Sequence, residues 1–447
     1  GVQALQPMAA ASDPLRARGG AGGQGEGLEC VARDAAASVG VARSVFNFTT
    51  LIIGGGLLGW PSTFRLCGWL GGVCCLIVCC LLAESTMCLI VNIGISCGTA
   101  SYEETCCAVW GRAGYYIIAV TCYLIDFGVL VTYWVALGDL LAPIIGEHVG
   151  GETHARLKLI IGAVMFLPCY SRNLGKLPGW SYINYGFIVF SLASMLYLSA
   201  RPGIAEFNRD HVSPYGVPIH VDHTPVKEDV WPSIGTVAFT FCNHDSVFMV
   251  YSTLRDGTER RWALTVRLAI WSTMGLMIAT GLPLYFVLGD KAASDITTNF
   301  PDGTLMRAVR IALAVAVAVT WIFLQQVARK YLRSLVMPLL RRRPLTANEA
   351  YEMTNCELVC FTTAQFAVTL ALGCCIEDLG LPMALTGVFA LSLAAFVVPP
   401  CMLLTSVRRG VTFGYSPLAQ VYFCIVLLFG VVSCTLGVRS TISSYQN

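Results

Sequence analysis

The sequence contains few charged residues. Of its 447 residues, 13% are Asp, Glu, Lys or Arg and 55% are hydrophobic, whereas an average soluble domain is about 25% charged. With a mean hydropathy of +0.66, so few polar side chains cannot cover the surface of a soluble globule. The same figures exclude disorder over most of the length. The net charge of +2 provides no broad field for nucleic acid, so we expect no nucleic-acid partner.

Several motifs of other protein classes are also missing. The 20 cysteines do not form CxxC pairs in a polar loop, as a zinc site requires. Many are adjacent pairs in apolar runs, such as Cys74-Cys75, where a free thiol behaves as a small hydrophobe. No nucleophile–base set indicates an enzyme, and no ring of charge indicates an ion channel. We therefore expect neither an enzyme nor a cofactor, and nothing identifies a protein partner.

What the sequence does contain is a series of long apolar runs after a Gly- and Ala-rich start. Residues 1–42 have no apolar signal-peptide core and are predicted to form a disordered cytosolic tail. The rest predicts an all-α polytopic membrane domain over 43–438, since each run is long enough to cross a bilayer. The eleven predicted spans are 43–65, 68–95, 115–145, 157–173, 179–200, 231–254, 263–288, 305–328, 355–376, 380–406 and 416–438.

The distribution of basic residues predicts the orientation of these spans. Most Lys and Arg residues fall on one side if the N-terminus is cytosolic, as the positive-inside rule requires. This orientation makes 329–354 a basic cytosolic loop and 201–230 an extracytosolic loop. It also makes 439–447 an extracytosolic C-terminal tail.

The first span carries three consecutive glycines, Gly54, Gly55 and Gly56. A continuous helix does not need glycines there, because each one raises the entropic cost of helix formation. A packing motif would space its glycines four residues apart. An interrupted helix exposes backbone groups at membrane depth, and these are tolerated where they line a cavity. We therefore predict a broken helix at a binding site.

The sixth span carries Cys242, Asn243, His244, Asp245 and Ser246 in a row at its centre. Five successive residues point all round a helix, so one buried face cannot satisfy them. An unwound segment lining a polar cavity would satisfy them, which predicts a second broken helix.

The broken spans are the first and the sixth, so equivalent positions lie five spans apart. Because five is odd, a five-span repeat would be inserted upside down. Inverted repeats with broken first helices and a site at the midplane are typical of secondary transporters. The N-terminal amides of a half-helix suit a carboxylate, and free carbonyls suit a cation. An amino acid together with a coupling cation fits both.

The sequence also resembles a known family. It is similar to the amino acid/auxin permease superfamily, closest to the sodium-coupled neutral amino acid transporters. The stretches that carry this resemblance run in the family's order, and they are 46–61, 101–114, 126–141, 167–177, 238–256, 320–329 and 376–390.

This resemblance implies the amino acid-polyamine-cation transporter type of fold, with eleven helices, spans one to ten as a 5+5 inverted repeat, and broken helices 1 and 6. It implies a cation site between the first and eighth helices, at Asn47, Thr50, Ile53 and Thr320. It implies substrate contacts from both broken helices and from the third, and these are Thr50, Gly54, Gly55, Gly56, Asp126, Phe241, Cys242, Asn243, His244 and Ser246.

This chain departs from the family pattern around the coupling site. Thr50 and Asp126 each stand where the family commonly has Asn, and Asn243 and Asp245 replace Cys and Pro. A carboxyl group inside the membrane is costly unless it is neutral or paired. Four titratable groups are therefore candidates for proton coupling: Asp126, His244, Asp245 and Glu84. For Glu84, a structural hydrogen-bond anchor is the favoured interpretation.

The sequence thus predicts a secondary active transporter of small or neutral amino acids, coupled to sodium or protons. One alternative is a proton-coupled carrier of a vacuolar or lysosomal membrane, and another is an amino-acid-sensing receptor with the same cavity. The location is predicted to be the plasma membrane or an endolysosomal or vacuolar membrane.

Overall fold

The computed structural model describes residues 39–145, 151–171, 180–201, 204, 225–227, 230–346, 349–350, 352–408 and 415–446. In these ranges all regular elements are helical, apart from one isolated bridge between Val39 and Leu254. Within this described part of the chain, eight helices are long and apolar enough to cross a membrane. The chain is therefore an all-α integral membrane protein. Most of the predicted N-terminal tail and of the 201–230 loop lies outside the described residues.

The α-helices are numbered here in chain order. They are α1 Val41–Ile53, α2 Trp60–Cys67, α3 Trp69–Cys97, α4 Tyr102–Trp110, α5 Arg112–Ile145, α6 Gly151–Phe166, α7 Trp180–Ser199, α8 Val230–Phe241, α9 Val247–Thr253, α10 Glu259–Leu288, α11 Thr304–Arg341, α12 Asn355–Cys375, α13 Gly380–Thr386, α14 Val398–Arg408, α15 Pro417–Val432 and α16 Val438–Gln446.

The outside of the molecule is apolar. Val164 of α6 and Leu418 of α15 are 72% and 79% exposed. Helices that are apolar on every face belong in a membrane, where lipid tails replace water as the solvent of these side chains. The exposed apolar side chains therefore mark the lipid-facing surface.

The two predicted helix breaks differ in the structure. The triglycine segment is a 3₁₀ helix, Gly54–Gly59, that joins α1 to α2 with helical backbone angles at both ends. At the second break, Asn243 has φ −85° and ψ 51°, outside the helical region, and a 3₁₀ turn at His244–Ser246 leads into α9. The first segment is a tightened helix and the second is a true interruption. A mid-helix 3₁₀ stretch is often a hinge.

Small residues bring α8 against the π-helical continuation of α13. A Cβ atom added at Gly387 would lie 1.8 Å from the carbonyl oxygen of Gly235. Because no side chain fits between the two backbones, only glycine permits this approach, as in other small-residue helix contacts in membranes.

The prediction that the basic segment 329–354 is a loop is wrong over its first part. Helix α11 continues to Arg341, because its basic side chains find partners inside the protein. Lys330 pairs with Glu103 at 2.7 Å, and Arg329 donates to the carbonyl of Cys169 and the hydroxyl of Thr362. A hydropathy pattern predicts that these basic side chains contact water, whereas in the structure they contact the protein.

Two further elements differ from the sequence-based assignment. The predicted tail 439–447 is helical up to Gln446, as α16 continues the last span. Helix α4 was not assigned, yet it has a sequence signal. The Ser101 hydroxyl accepts from the Glu104 amide, and the Glu104 carboxylate accepts from the Ala100 amide, which resembles a capping box.

The segment between α10 and α11 folds back onto the triglycine region. Its 3₁₀ turn Ile296–Asn299 contacts Gly54–Gly59, and the Arg310 side chain donates to the carbonyls of Thr297 and Phe300. Asp295 caps this turn, with Oδ1 accepting from the Thr297 amide at 2.8 Å. Burial raises the pKa of Asp295 to about 6, although the Thr297 bonds and Arg310 oppose this shift.

This raised pKa predicts a pH-dependent packing of the Ile296–Asn299 turn. Asp295 binds a proton more tightly in the closed turn than in the opened one, so its protonation stabilises the closed turn fully below about pH 4. This stabilisation of the closed turn is lost as the pH rises through about 6. We expect hydrogen exchange of these amides, corrected for intrinsic rates, to be faster at pH 7 than at pH 5. Asp295→Asn keeps the Thr297 contacts and should flatten this dependence.

Asp302 provides a control of opposite sign. A hydrogen bond from Arg307 holds the pKa of Asp302 below its usual range, so its ion pair weakens as the pH falls. In Asp302→Asn, hydrogen exchange of the Ile296–Asn299 amides should still be faster at pH 7 than at pH 5. Exchange that does not vary with pH in the parent protein would contradict the role of Asp295.

Candidate functional site

A small internal cavity lies where the triglycine segment, α5, the α8–α9 break and α11 meet. Its volume is about 40 Å³, which is room for about two or three water molecules. Its walls are formed by Leu51, Ile52, Gly56, Ile125, Asp126, Val129, Tyr133, Phe239, Cys242, Asn243, Asp245, Ser246, Thr320, Leu324 and Leu391.

Two carboxyl groups face this cavity, and no basic side chain is among its lining residues. Asp126 is 1% exposed, and its Oδ2 has no hydrogen-bond partner among the described residues. Asp245 accepts a hydrogen bond from the Ser246 hydroxyl at 2.7 Å. A buried carboxylate without a partner is costly, so the cavity favours a positively charged ligand or a proton.

A basic side chain near the cavity is held in an ion pair. Lys330 of α11 pairs with Glu103 of α4 at 2.7 Å, and both side chains are almost fully buried. The Lys330 ammonium lies 4.2 Å from the centroid of the Tyr331 ring, and the Tyr331 hydroxyl donates to the carbonyl of Asp245. This arrangement ties α11 to the α8–α9 break beside the cavity. Since Glu103 offsets the charge of Lys330, the cavity carboxyl groups are not neutralised outright.

The α8–α9 break is held by local contacts. The Asn243 side chain donates to the carbonyl of Thr240 at 3.0 Å, which satisfies a carbonyl group near the interruption. His244 points away from the cavity lining, and its Nε2 lies 2.9 Å from the Thr86 hydroxyl of α3. These two contacts fix the direction in which α9 leaves the break.

The structure brings part of the predicted site together. Seven of the predicted residues line the cavity, and they are Gly56, Asp126, Cys242, Asn243, Asp245, Ser246 and Thr320. Gly54 and Gly55 belong to the same 3₁₀ segment as Gly56. The cavity therefore joins both breaks with α5 and α11.

Other predicted site residues lie outside the cavity lining. The Thr50 hydroxyl donates to the Phe46 carbonyl in its own helix. Phe241 and Ile53 are fully buried in the core, and Asn47 is half-buried. Of the residues predicted to bind the cation, Thr320 is the one that lines the cavity.

Glu84 lies apart from the cavity, at the edge of α3 that faces α10. Its Oε1 accepts from Arg267 Nε at 2.8 Å, and its Oε2 accepts from Trp271 Nε1 at 2.7 Å. Both oxygens are therefore bonded, as expected of a structural anchor.

The sequence analysis missed the apolar walls of the cavity. A periodicity signal was available, since Ile125, Val129 and Tyr133 share the face of α5 that carries Asp126, and Leu324 lies one turn after Thr320. The remaining apolar residues come from other helices, and these are Leu51, Ile52, Phe239 and Leu391.

The first span and α8 approach each other closely at Gly56. A Cβ atom at this position would lie 2.1 Å from the Thr240 hydroxyl oxygen and 2.9 Å from its Cβ. The third glycine is therefore required by the neighbouring helix α8.

An all-α membrane protein with a polar cavity at two helix irregularities has the architecture of a transporter. A solved structure of a manganese transporter from Eremococcus coleocola is similar in fold. It has a TM-score of 0.53 at 12% sequence identity, and the match covers 91% of this chain and 88% of that one. At this identity the likeness concerns the fold alone.

The sequence comparisons define the family. The family model described as transmembrane amino acid transporter protein matches residues 37–443, so the chain belongs to this family of transporters, which are not enzymes. The sodium-coupled neutral amino acid transporter 7 of Xenopus laevis is 23% identical, over 77% of this chain and 76% of the relative. The amino acid transporter AVT1B of Arabidopsis thaliana is 25% identical, over 90% of this chain and 70% of the relative.

The contact at Gly56 generates a prediction. Gly56→Ala must push Thr240 and the two broken helices apart, and overpacking of this kind costs about 1–3 kcal/mol. We expect a lower thermal unfolding midpoint in detergent and a large loss of transport. Gly56→Ala combined with Thr240→Ala removes the hydroxyl contact and should recover part of both.

Gly275→Ala is the matched control, because a Cβ atom there meets nothing within 4 Å. It should leave stability and transport close to those of the parent. If Gly56→Ala behaves like Gly275→Ala, the contact with Thr240 does not constrain the site.

Proposed function

We propose that this protein is a secondary active transporter that moves small or neutral amino acids across a membrane, coupled to a cation. The observation that carries the proposal is the cavity where the triglycine segment meets the α8–α9 break, with two carboxyl groups and no basic residue in its lining. A zwitterionic substrate brings one ammonium group. The second carboxyl group remains available for a proton or a sodium ion.

The two ends of an amino acid suit different parts of the cavity. Its carboxylate suits the backbone amides that follow the interruption at Asn243, where the helix dipole favours negative charge, and the glycines Gly54–Gly56 let it approach the backbone of the first span. Its ammonium group suits Asp126 or Asp245. The apolar wall of Val129, Tyr133 and its neighbours leaves a place for an uncharged side chain.

The coupling ion has two candidate sites. Thr320 offers a hydroxyl for sodium, which prefers oxygen ligands, with Thr50, Asn47 and the Ile53 carbonyl as further candidates. Asp126 offers a titratable group in the cavity itself, which supports proton coupling. Asp245, His244 and Glu84 are the other candidates, in that order of proximity to the cavity.

We further propose the arrangement of eleven spans with a 5+5 inverted repeat. Eight helices are long enough to span the membrane, and the proposal adds α1–α2, α6 and α8–α9. The spans α1–α2 and α8–α9 are each divided into two shorter α-helices by a helix irregularity. The N-terminus is proposed to be cytosolic, and the chain to reside in the plasma membrane or an endolysosomal or vacuolar membrane.

Transport would proceed by alternating access. A cavity of about 40 Å³ is too small for most amino acids, so the substrate can enter only when neighbouring helices move. The 3₁₀ segment Gly54–Gly59 and the Asn243 break are the proposed hinges.

A proton-coupled carrier of an acidic organelle is the second candidate function, supported by Asp126 in the cavity. A sensor would bind the same ligand without moving it. Uptake of a panel of amino acids into proteoliposomes, crossed with sodium and pH gradients, separates these functions. Binding without uptake would contradict transport, and uptake without accumulation under either gradient would contradict coupling.

Asp126→Asn tests proton coupling. The substitution keeps the shape and hydrogen-bonding capacity of the side chain and removes the titrating group. We expect substrate binding to persist and the pH dependence of uptake to fall. If protons are the driving ion, accumulation against a gradient should be lost. Asp256→Asn, which removes an exposed carboxyl group outside the cavity, is the control. An unchanged pH profile in Asp126→Asn would make this carboxyl group structural.

Thr320→Ala tests cation binding. The Thr320 hydroxyl donates to the Ala316 carbonyl within its helix, so its removal should not harm folding. We expect the apparent affinity for the driving cation to fall about tenfold, which corresponds to about 1.4 kcal/mol. Thr435 makes the same type of bond on an exposed face, so Thr435→Ala is the control. Unchanged sodium and pH responses in Thr320→Ala would remove Thr320 from the cation site.

A further inference from the structure

A second cavity lies on the lipid-facing side of the molecule, away from the transport cavity. It is an open groove of about 840 Å³ between α3, α10 and α15. Its apolar and hydroxyl-bearing walls include Leu81, Ser85, Cys88, Ala263, Trp271 and Tyr422. We call it the α3–α10–α15 groove.

Arg267 lines this groove, and only part of its guanidinium group is hydrogen-bonded. Glu84 takes Arg267 Nε and Trp271 Nε1 on its two oxygens. Arg267 Nη1 and Nη2 have no hydrogen-bond partner among the described residues, and the Arg267 side chain is 64% exposed. Four N–H donors in a planar fork therefore face the groove, which is the geometry that binds phosphate in a bidentate manner.

The depth of Arg267 matches the level of lipid head groups. Lys291 ends the span that contains α10. A hydrocarbon core of about 30 Å takes about 20 helical residues, which puts its other boundary near Trp271. Tryptophan is enriched at this interface. Arg267 lies one turn further toward the N-terminal end of α10, at the level of glycerol and phosphate.

The same face of α10 continues the positive charge toward water. Arg260, Ala263 and Arg267 follow each other at steps of three and four residues, so they form one stripe. Arg260 is exposed. In the other direction, Leu81 and Cys88 offer an apolar wall, and the paired hydroxyls of Ser85 and Tyr422, 2.9 Å apart, offer partners for ester oxygens.

We propose that the α3–α10–α15 groove binds an anionic phospholipid. Its phosphate contacts Arg267 and Arg260, and an acyl chain lies along Leu81 and Cys88. With the proposed cytosolic N-terminus, the lipid comes from the cytosolic leaflet. Arg267 and Glu84 form an ion pair in the groove, so the attraction for an anionic head group comes from the unbonded Arg267 donors and from Arg260 at the cytosolic end of the helix. The inference does not depend on the transported substrate or on the coupling ion.

Native mass spectrometry of the full chain in detergent tests this proposal. Phosphatidylserine, phosphatidylcholine and inorganic phosphate are titrated separately, and bound molecules are counted. We expect at least one phosphatidylserine to bind about fivefold more tightly than phosphatidylcholine, as one basic contact near a membrane surface provides. Inorganic phosphate should not bind, because it lacks the acyl chain.

Two independent variants locate the lipid. Glu84→Gln with Arg267→Gln exchanges the ion pair for a neutral pair of similar size, and Ala263→Trp fills the groove without changing any charge. Each should remove the preference for phosphatidylserine, a loss of about fivefold. Arg112→Gln, at the start of α5, removes an exposed charge outside the groove and should not change the preference for phosphatidylserine. Thermal midpoints check that all variants are folded.

Three results would overturn the proposal. The first is equal affinity for the two lipids in the parent protein. The second is a preserved preference in folded Ala263→Trp and in the double variant. The third is a dimer that forms without lipid and is disrupted by Ala263→Trp, because a second copy of the chain would then occupy the groove.

Discussion

The structure depends on one constraint, the absence of water at the depth where most of its side chains lie. Every charge and every interrupted backbone group there needs a partner from the protein or from a ligand. Arg329 and Lys330 meet the requirement inside the protein, through the Thr362 hydroxyl and the Glu103 carboxylate. Arg333 does the same with Glu357. Because these partners exist, α11 extends well past the end of its apolar run.

The same constraint separates two acidic residues that look alike in the sequence. Glu84 and Asp126 each fall near the middle of a long helix. Glu84 has a donor on each carboxylate oxygen, so its charge is satisfied and its position is structural. Asp126 has an oxygen without a partner among the described residues and faces a cavity, which agrees with its proposed role in binding a proton, a cation or a substrate ammonium group.

The two helix irregularities contribute differently to this cavity. At Gly54–Gly59 the chain stays helical but tightens, and Gly56 lets Thr240 approach to a distance that no side chain would permit. At Asn243 the helix is interrupted, and the Asn243 amide and the His244–Thr86 contact hold the resulting geometry. One irregularity gives close packing and the other gives exposed backbone. The proposed alternating-access cycle uses both.

The sequence by itself determined the class of protein, the eight spans found among the described residues and the two places where helices are irregular. These features are local, because a run of apolar residues, three adjacent glycines or five adjacent polar residues limits its own backbone wherever it lies. The tertiary structure decided what each side chain meets. His244 faces Thr86 instead of the cavity lining, Thr50 bonds within its own helix, and the cavity walls include Leu51 and Leu391 from distant parts of the chain. The His244–Thr86 contact and the cavity walls join residues that are far apart in the chain, and no local pattern contains the packing that brings them together.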